Sequence, residues 1–318
     1  MSREQLSVLL SECGASLNTV IALSSADESI IKLRKALSKQ DDAIIEIAIE
    51  LGIVPLLVKV LENSSCPANQ VEAVWCITNI ATGTSEQTES VLCTAPTLVQ
   101  LLEIENAHLQ EQCVWALGNM AGDNLDFRNR IRANGAVVPI VRLIQSSVLS
   151  LARTSCWALS NLARGLDPRL QELFAAGAGE ALARVLLSSA AADEELMVEV
   201  AWALTYFTHR QVEFMKYLEG IGGVQKIASL LQRDSIQLII PVLRTLGNLV
   251  SGPDELADCV VRCAEVPARL VQLVRSEHKA IKKEAAWTIS NICAGSPSQR
   301  CVTETRRASL RAAQCGGL

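Results

Sequence analysis

Glu72-Ala-Val-Trp75-Cys-Ile-Thr-Asn79 returns along the chain as Val114-Trp115-Ala-Leu-Gly-Asn119, Cys156-Trp157-Ala-Leu-Ser-Asn161 and Ala286-Trp287-Thr-Ile-Ser-Asn291. Trp and Asn stand four residues apart in each copy, which on a helix puts them on one face, a single turn from each other. Two variants fall where further copies are due, Trp202-Ala-Leu-Thr-Tyr206 and Arg244-Thr-Leu-Gly-Asn248. The six blocks begin at 75, 115, 157, 202, 244 and 287, in steps of 40, 42, 45, 42 and 43 residues. All five Trp residues of the chain lie in this register.

Steps of this length with only helical patterning inside them predict an all-α, right-handed armadillo-repeat superhelical solenoid of about seven repeats, three helices each. A typical unit starts at Asp126-Phe-Arg-Asn, breaks at Asn134-Gly135, resumes as Ala136-Val-Val-Pro, breaks again at Gln145-Ser-Ser and ends in the Trp157 helix. Gly52, Gly135, Gly177 and Gly222-Gly223 mark the first break, and Pro55, Pro96 and Pro139 sit just inside the following helix, where a missing N–H costs little. The expected layout is a short first helix and two longer ones. The solenoid is expected over residues 1–297, its first repeat atypical, with a divergent C-terminal tail over 298–318 that lacks the Gly-x-x-Pro break.

Composition narrows the class. The chain has 318 residues, 49% hydrophobic and only 3% aromatic, a balance that suits stacked helices with an aliphatic core. A net charge of −5 argues against a nucleic-acid partner and fits a basic one. No apolar run approaches a membrane span, and the N-terminus lacks a basic-then-apolar signal. Eleven Cys without a C-x-x-C motif read as buried, reduced thiols of a cytosolic or nuclear chain.

The repeated pair has a physical use. Packed helices stack about 8–10 Å apart and an extended peptide advances about 3.3 Å per residue, so roughly three peptide residues pass each repeat. A carboxamide can hold a peptide N–H and C=O together, which fixes register without reading side chains. Between the Asn residues, facing indoles form slots for the aliphatic stem of Lys or Arg. Carboxylates beyond the slots would receive the charged heads: Asp123 at the end of the Asn119 helix, Glu195 and Glu199 ahead of Trp202, and Glu284 ahead of Trp287. A single Trp or Asn in a helical repeat is more often core or cap; four complete pairs in register favour a ladder.

Glu72 to Val91, EAVWCITNIATGTSEQTESV, and Glu111 to Asp123, EQCVWALGNMAGD, look like the second and third armadillo repeats of the importin-alpha family, adaptors that read basic nuclear localisation signals. Tyr206 in place of Asn and Arg244 in place of Trp resemble the family's own exceptions in its fifth and sixth repeats. The resemblance covers roughly residues 25 to 297. It implies a major peptide site of Trp75, Asn79, Trp115, Asn119, Trp157 and Asn161, with Asp123, Thr88 and the Gly83 carbonyl receiving a key lysine, and Gln112, Glu195, Glu199 and Trp202 adding contacts. It also implies a minor site of Tyr206, Arg244, Asn248, Asp254, Glu284, Trp287 and Asn291, in which Arg244 makes a salt bridge within the groove. That minor site is incomplete here, because the family's eighth-repeat pair has no counterpart. The family's Arg/Lys-rich arm is also missing before the first repeat, which puts coupling to importin-beta in doubt.

Catalysis finds no support. His108, His209 and His278 are dispersed, and none shares a triad-like motif. Cys259-x-x-x-Cys263 has no companion ligands for zinc, and no cofactor is expected. The chain reads as a non-enzymatic adaptor that holds basic signal peptides of cargo proteins for nuclear import, working in cytoplasm and nucleus, with no nucleic-acid or membrane partner. The alternative is an armadillo scaffold or chaperone in cytoskeletal or flagellar assembly, not coupled to importin-beta.

Overall fold

A computed structural model describes residues 3–20, 28–39, 41–63, 66–165 and 170–295. Every regular element among the described residues is helical. Two helices, Arg3–Val20 and Glu28–Leu37, precede six complete triplets, of which Leu125–Ala133, Val137–Leu143 and Leu149–Leu162 form one. The expected tail over 298–318 lies outside the described residues.

Glycine makes the first bend of most triplets. Gly52, Gly135, Gly177 and Gly222 have φ of 71°, 83°, 78° and 78°, the left-handed region that a Cβ disfavours. At two of the six third helices a side-chain cap marks the second break. Asn106 accepts from Leu109 N at 3.1 Å, and Asp193 from Leu196 N at 2.8 Å, each opening a long third helix. The expectation of two long helices per repeat needs correction. Second helices run 7 to 11 residues, close to the first, and only the third helices reach 14 to 17. Third helices pack most extensively on the third helices of neighbouring repeats within their unit, and that long shared face needs the length.

Packing divides the chain into two compact units, Met1–Arg164 and Gly165–Leu318. The division falls inside the longest step of the repeat, 45 residues. In the first unit Glu28–Leu37, Pro67–Ile80, Ala107–Asp123 and Leu149–Leu162 pack in succession. In the second, Glu194–Phe207, Ile236–Val250 and Lys279–Ala294 do the same.

Two buried arginines tie the first unit's ladder helices together. Arg128 Nε donates to the carbonyls of Ala121 at 3.1 Å and Asn161 at 2.7 Å, and Arg132 donates to Leu162 O. These carbonyls lie at helix ends, where i→i−4 donors run out, and a cation there interacts favourably with the negative end of the helix dipole.

The thiols depart in part from expectation. Cys13, Cys66, Cys76, Cys113 and Cys156 are buried, but Cys93 and Cys293 are exposed and Cys259 and Cys263 half-buried. Cys93 sits in the short 3₁₀ turn Leu92–Thr94. Burial pushes the thiol pKa of Cys76 and Cys113 well up, which keeps them protonated and inert.

Candidate functional site

In the first unit the indoles are unevenly open: Trp115 is 40% exposed, while Trp75 and Trp157 are half-buried. Asn79 and Asn119 are half-buried, whereas Asn161 is only 8% exposed. The sequence reading favours a peptide-holding ladder in which some of these carboxamides also bond between repeats; in the structure all three do. Asn79 Nδ2 donates to Arg34 O at 3.5 Å, Asn119 Nδ2 to Thr78 O at 3.4 Å and Asn161 Nδ2 to Gly118 O at 3.1 Å. Each Asn thus uses one N–H to tie its helix to the preceding repeat. A carboxamide has two N–H donors and a carbonyl, so in these three residues one donor and the acceptor remain.

A small residue stands just before each ladder position: Thr78, Gly118, Ser160, Thr205, Gly247 and Ser290. At the two glycines the reason is close packing of the next indole. A Cβ on Gly118 would lie 2.3 Å from Trp157 Cζ3, and one on Gly247 2.1 Å from Trp287 Cζ3. This regularity was visible in the sequence but was not used.

The sequence reading missed Arg34 and Glu72. The Arg34 guanidinium carbon lies 4.4 Å from the Trp75 ring centroid, and its Nε is 2.8 Å from Glu72 Oε2. The chain itself therefore displays a guanidinium laid on a ladder indole with its head received by a carboxylate.

The residues expected to receive a lysine fare differently. Asp123 is exposed at the end of Ala107–Asp123 and accepts a hydrogen bond from Ser85 Oγ at 2.8 Å. Gly83 is glycine because a Cβ there would meet Gln87 Oε1 at 2.0 Å, where Gln87 closes the capping box of Ser85–Val91. Thr88 is 1% exposed and its hydroxyl donates to Ala81 O at 3.5 Å, which leaves only its acceptor lone pairs. Gln112 is buried, and its Oε1 has no partner among the described residues.

Glu195, Glu199 and Trp202 lie on Glu194–Phe207 in the second unit. Glu195 is exposed; Glu199 and Trp202 are half-buried. Burial pushes the Glu199 carboxyl up to about 7. Arg244 lies 5.8 Å from the Trp202 centroid and pairs with both carboxylate oxygens of the buried Glu284, a hydrogen-bonded pairing that raises the Arg244 pKa further. Tyr206 and Asn291 are half-buried, Trp287 is 39% exposed, and Asn291 Nδ2 donates to Gly247 O at 3.4 Å. Asn248 is 5% exposed and donates to Thr205 O at 2.8 Å and Thr208 Oγ1 at 3.1 Å. Both of its N–H groups are used, and it has no donor left for a peptide. A cleft of about 740 Å³ opens here, lined by His209, Arg210, Arg244, Asn248, Lys283, Glu284 and Trp287 among others. Asp254, exposed at the start of Asp254–Arg262, is not among its lining residues.

No group of metal-ligating side chains and no helix long and apolar enough to cross a membrane occurs among the described residues.

Comparison with known proteins places these observations. The armadillo/beta-catenin-like repeat pattern matches residues 41–82, 90–122, 128–164 and 255–294. Importin subunit alpha-9 of Arabidopsis thaliana is 38% identical over 83% of this chain and 52% of its own length. Importin subunit alpha-1b of Oryza sativa subsp. japonica is 36% identical over 82% and 49%, and importin subunit alpha-1a of the same plant 38% over 86% and 52%. The chain spans about half the length of these curated relatives. Among solved structures, an engineered protein superposes with a TM-score of 0.79 at 27% identity, covering 96% of this chain and 72% of that one. A designed armadillo repeat protein, solved in complex with the peptide (KR)4, gives 0.66 at 24% identity over 75% and 98%, a likeness of fold alone. The matches are to non-enzymatic protein-binding adaptors.

Proposed function

The chain belongs to the importin-alpha family of armadillo-repeat proteins, and from that premise we propose that its first unit holds the basic signal peptides of cargo proteins, as part of a nuclear import adaptor working in cytoplasm and nucleus. The carrying observation is Trp115: a large indole, 40% exposed, in register between Trp75 and Trp157, with Asn119 one turn on and Asp123 at the helix end. Leaving an indole open to water forgoes burial that a core position would keep. A ligand's aliphatic stem recovers it.

The peptide runs extended across the ladder helices. Asn79 and Asn119 each meet it with a remaining N–H and carbonyl, while Asn161 chiefly holds the repeats in register. The stems of Lys or Arg lie between indoles, and Asp123 receives one charged head. Arg34 on Trp75 is the intramolecular counterpart of that contact. An exposed carboxylate paired with a solvated cation is screened by salt, so affinity depends on ionic strength.

The test is fluorescence anisotropy of a Lys-Lys-x-Lys/Arg peptide at two salt concentrations, with wild type, Trp115→Ala/Asn119→Ala and Asp123→Lys. Salt-sensitive binding that both variants lose supports the groove. Binding unchanged by Asp123→Lys in folded protein would refute it.

A further inference from the structure

At one position of the repeat each unit carries a single charge, and the two charges are of opposite sign. Eight residues after the Trp position of each block stand Gly83, Asp123, Gly165, Arg210, Gly252 and Gly295. Glycine fills four of the six copies. The first unit replaces it once with an exposed carboxylate, Asp123, and the second once with an exposed guanidinium, Arg210. Arg210 holds φ of 57°, and among the described residues it is the one non-glycine with positive φ. An L side chain there is uphill for the backbone, and the strain falls on a residue that lines the cleft of the second unit.

The remaining cleft lining agrees. Lys283, one turn before Trp287, is exposed and lines it. The carboxylate in the lining is Glu284, and both its oxygens are held by Arg244. Asp254, the other acid expected near this site, does not line it. His209 Nε2 is buried at the cleft without a partner among the described residues, and when it bears the proton it donates to an oxygen. Asn248 has no N–H to offer. Two cations without a carboxylate and an unfilled imidazole nitrogen face a ladder indole. A Lys or Arg side chain entering here would meet like charge and no acceptor head.

We propose that the cleft lined by Arg210, Lys283, His209 and Trp287 binds an anionic residue of an extended protein segment, a carboxylate or a phosphorylated side chain, where the first unit takes a basic one. Arg210 pairs the anion, with planar donors suited to carboxylate and phosphate oxygens alike. Lys283 adds a point charge, His209 donates from the wall, and the Trp287 face covers the aliphatic part of the residue. The inference does not depend on the first unit's binding a basic peptide.

Indole ¹⁵N–¹H NMR separates the two, because Trp287 reports on this cleft and Trp115 and Trp157 report on the first unit. Three heptapeptides serve as probes, rich in Glu, carrying phosphoserine, or rich in Lys. The acidic probes are expected to shift Trp287 and leave Trp115 and Trp157 in place, with the tighter of the two identifying the anion. Arg210→Gly, which restores the residue of four other repeats and relieves the backbone, and Lys283→Gln are each expected to weaken that binding about tenfold. Neither should alter binding of the Lys probe to the first unit. The proposal falls if both acidic probes leave Trp287 unmoved, if both variants bind them as wild type does, or if the Lys probe is the one that shifts Trp287. Failure of the Lys probe to shift Trp115 would count against the first-unit reading alone.

Discussion

Asn119 and Asn248 occupy the same position in two different repeats, and they do different things. Asn119 is half-buried with one 3.4 Å bond to the preceding helix; Asn248 is 5% exposed with both N–H groups engaged. The neighbouring positions diverge in parallel: Trp115 against Arg244, Gln112 against Pro241, Asp123 against Arg210 or Gly252. A solenoid repeats its backbone cheaply, since each repeat packs mainly on its neighbours. Recognition can therefore change at a few positions without touching the stack. The first unit keeps an open indole and an exposed carboxylate that no cation pairs among the described residues; the second holds Glu284 with Arg244 and adds cations.

Removing the glycine under an indole should break this contrast most sharply. Gly118→Ala places a Cβ 2.3 Å from Trp157 Cζ3. Basic-peptide affinity is expected to fall about 100-fold and stability by about 2 kcal/mol from overpacking. Gly247→Ala collides with Trp287 at 2.1 Å and should leave basic-peptide affinity within about twofold, on the proposal that the first unit binds the peptide. Anisotropy and urea denaturation of both variants check the pair. If the two lose basic-peptide binding equally, the first unit has no special claim.

Asparagine truncation should reverse the order. Asn248→Ala leaves the Thr205 carbonyl and the Thr208 hydroxyl without their donor, at about 2–3 kcal/mol, while basic-peptide affinity holds. Asn119→Ala removes one longer bond, costs about 1 kcal/mol, and lowers affinity about tenfold. Equal stability losses would show that both are structural ties.

Glu199 gives a pH-dependent difference. Burial raises its folded-state pKa to about 7, above the unfolded value, so the folded chain binds the proton more tightly. Its favourable contribution is therefore fully present below the unfolded pKa and is lost as pH rises through about 7. Glu199→Gln should be more stable than wild type by about 1 kcal/mol at pH 8, discounted for partial exposure, and match it near pH 4.5. Thermal melts at the two pH values read this directly; a constant offset between them would point away from titration.

The smallest effect is expected at Arg34. Arg34→Gln uncovers the Trp75 ring and releases Glu72, so a basic peptide extended by one Lys should gain about two- to threefold in affinity. Weaker binding would mean that Arg34 supports the indole instead of competing for it.

The repeat length, the helix breaks and the ladder register were legible because they follow local rules. Gly135 and Gly177 announce bends that only positive φ allows, and Trp and Asn four apart must share a helix face. The burial of Thr88 was not legible, because its motif position says nothing of where a hydroxyl points; its O–H donates to Ala81 O. The asparagines were half understood, since a carboxamide suited to a peptide is equally suited to the carbonyl of the preceding repeat. Arg34, Glu72 and Arg210 went unread as site residues, being single occurrences in a reading that looked for recurrence, and His209 was read only as a non-catalytic histidine.

By itself, then, the sequence determined what is periodic: an all-α armadillo stack, its family, and a register carrying Trp and Asn. Those follow from backbone preferences and spacing along one chain. Only the tertiary structure decided which of those groups remain available. Hydrogen-bond partners some 40 residues apart, such as Asn161 with Gly118 or Arg244 with Glu284, are fixed when repeats stack, and a donor or carboxylate used between repeats is no longer free for a ligand.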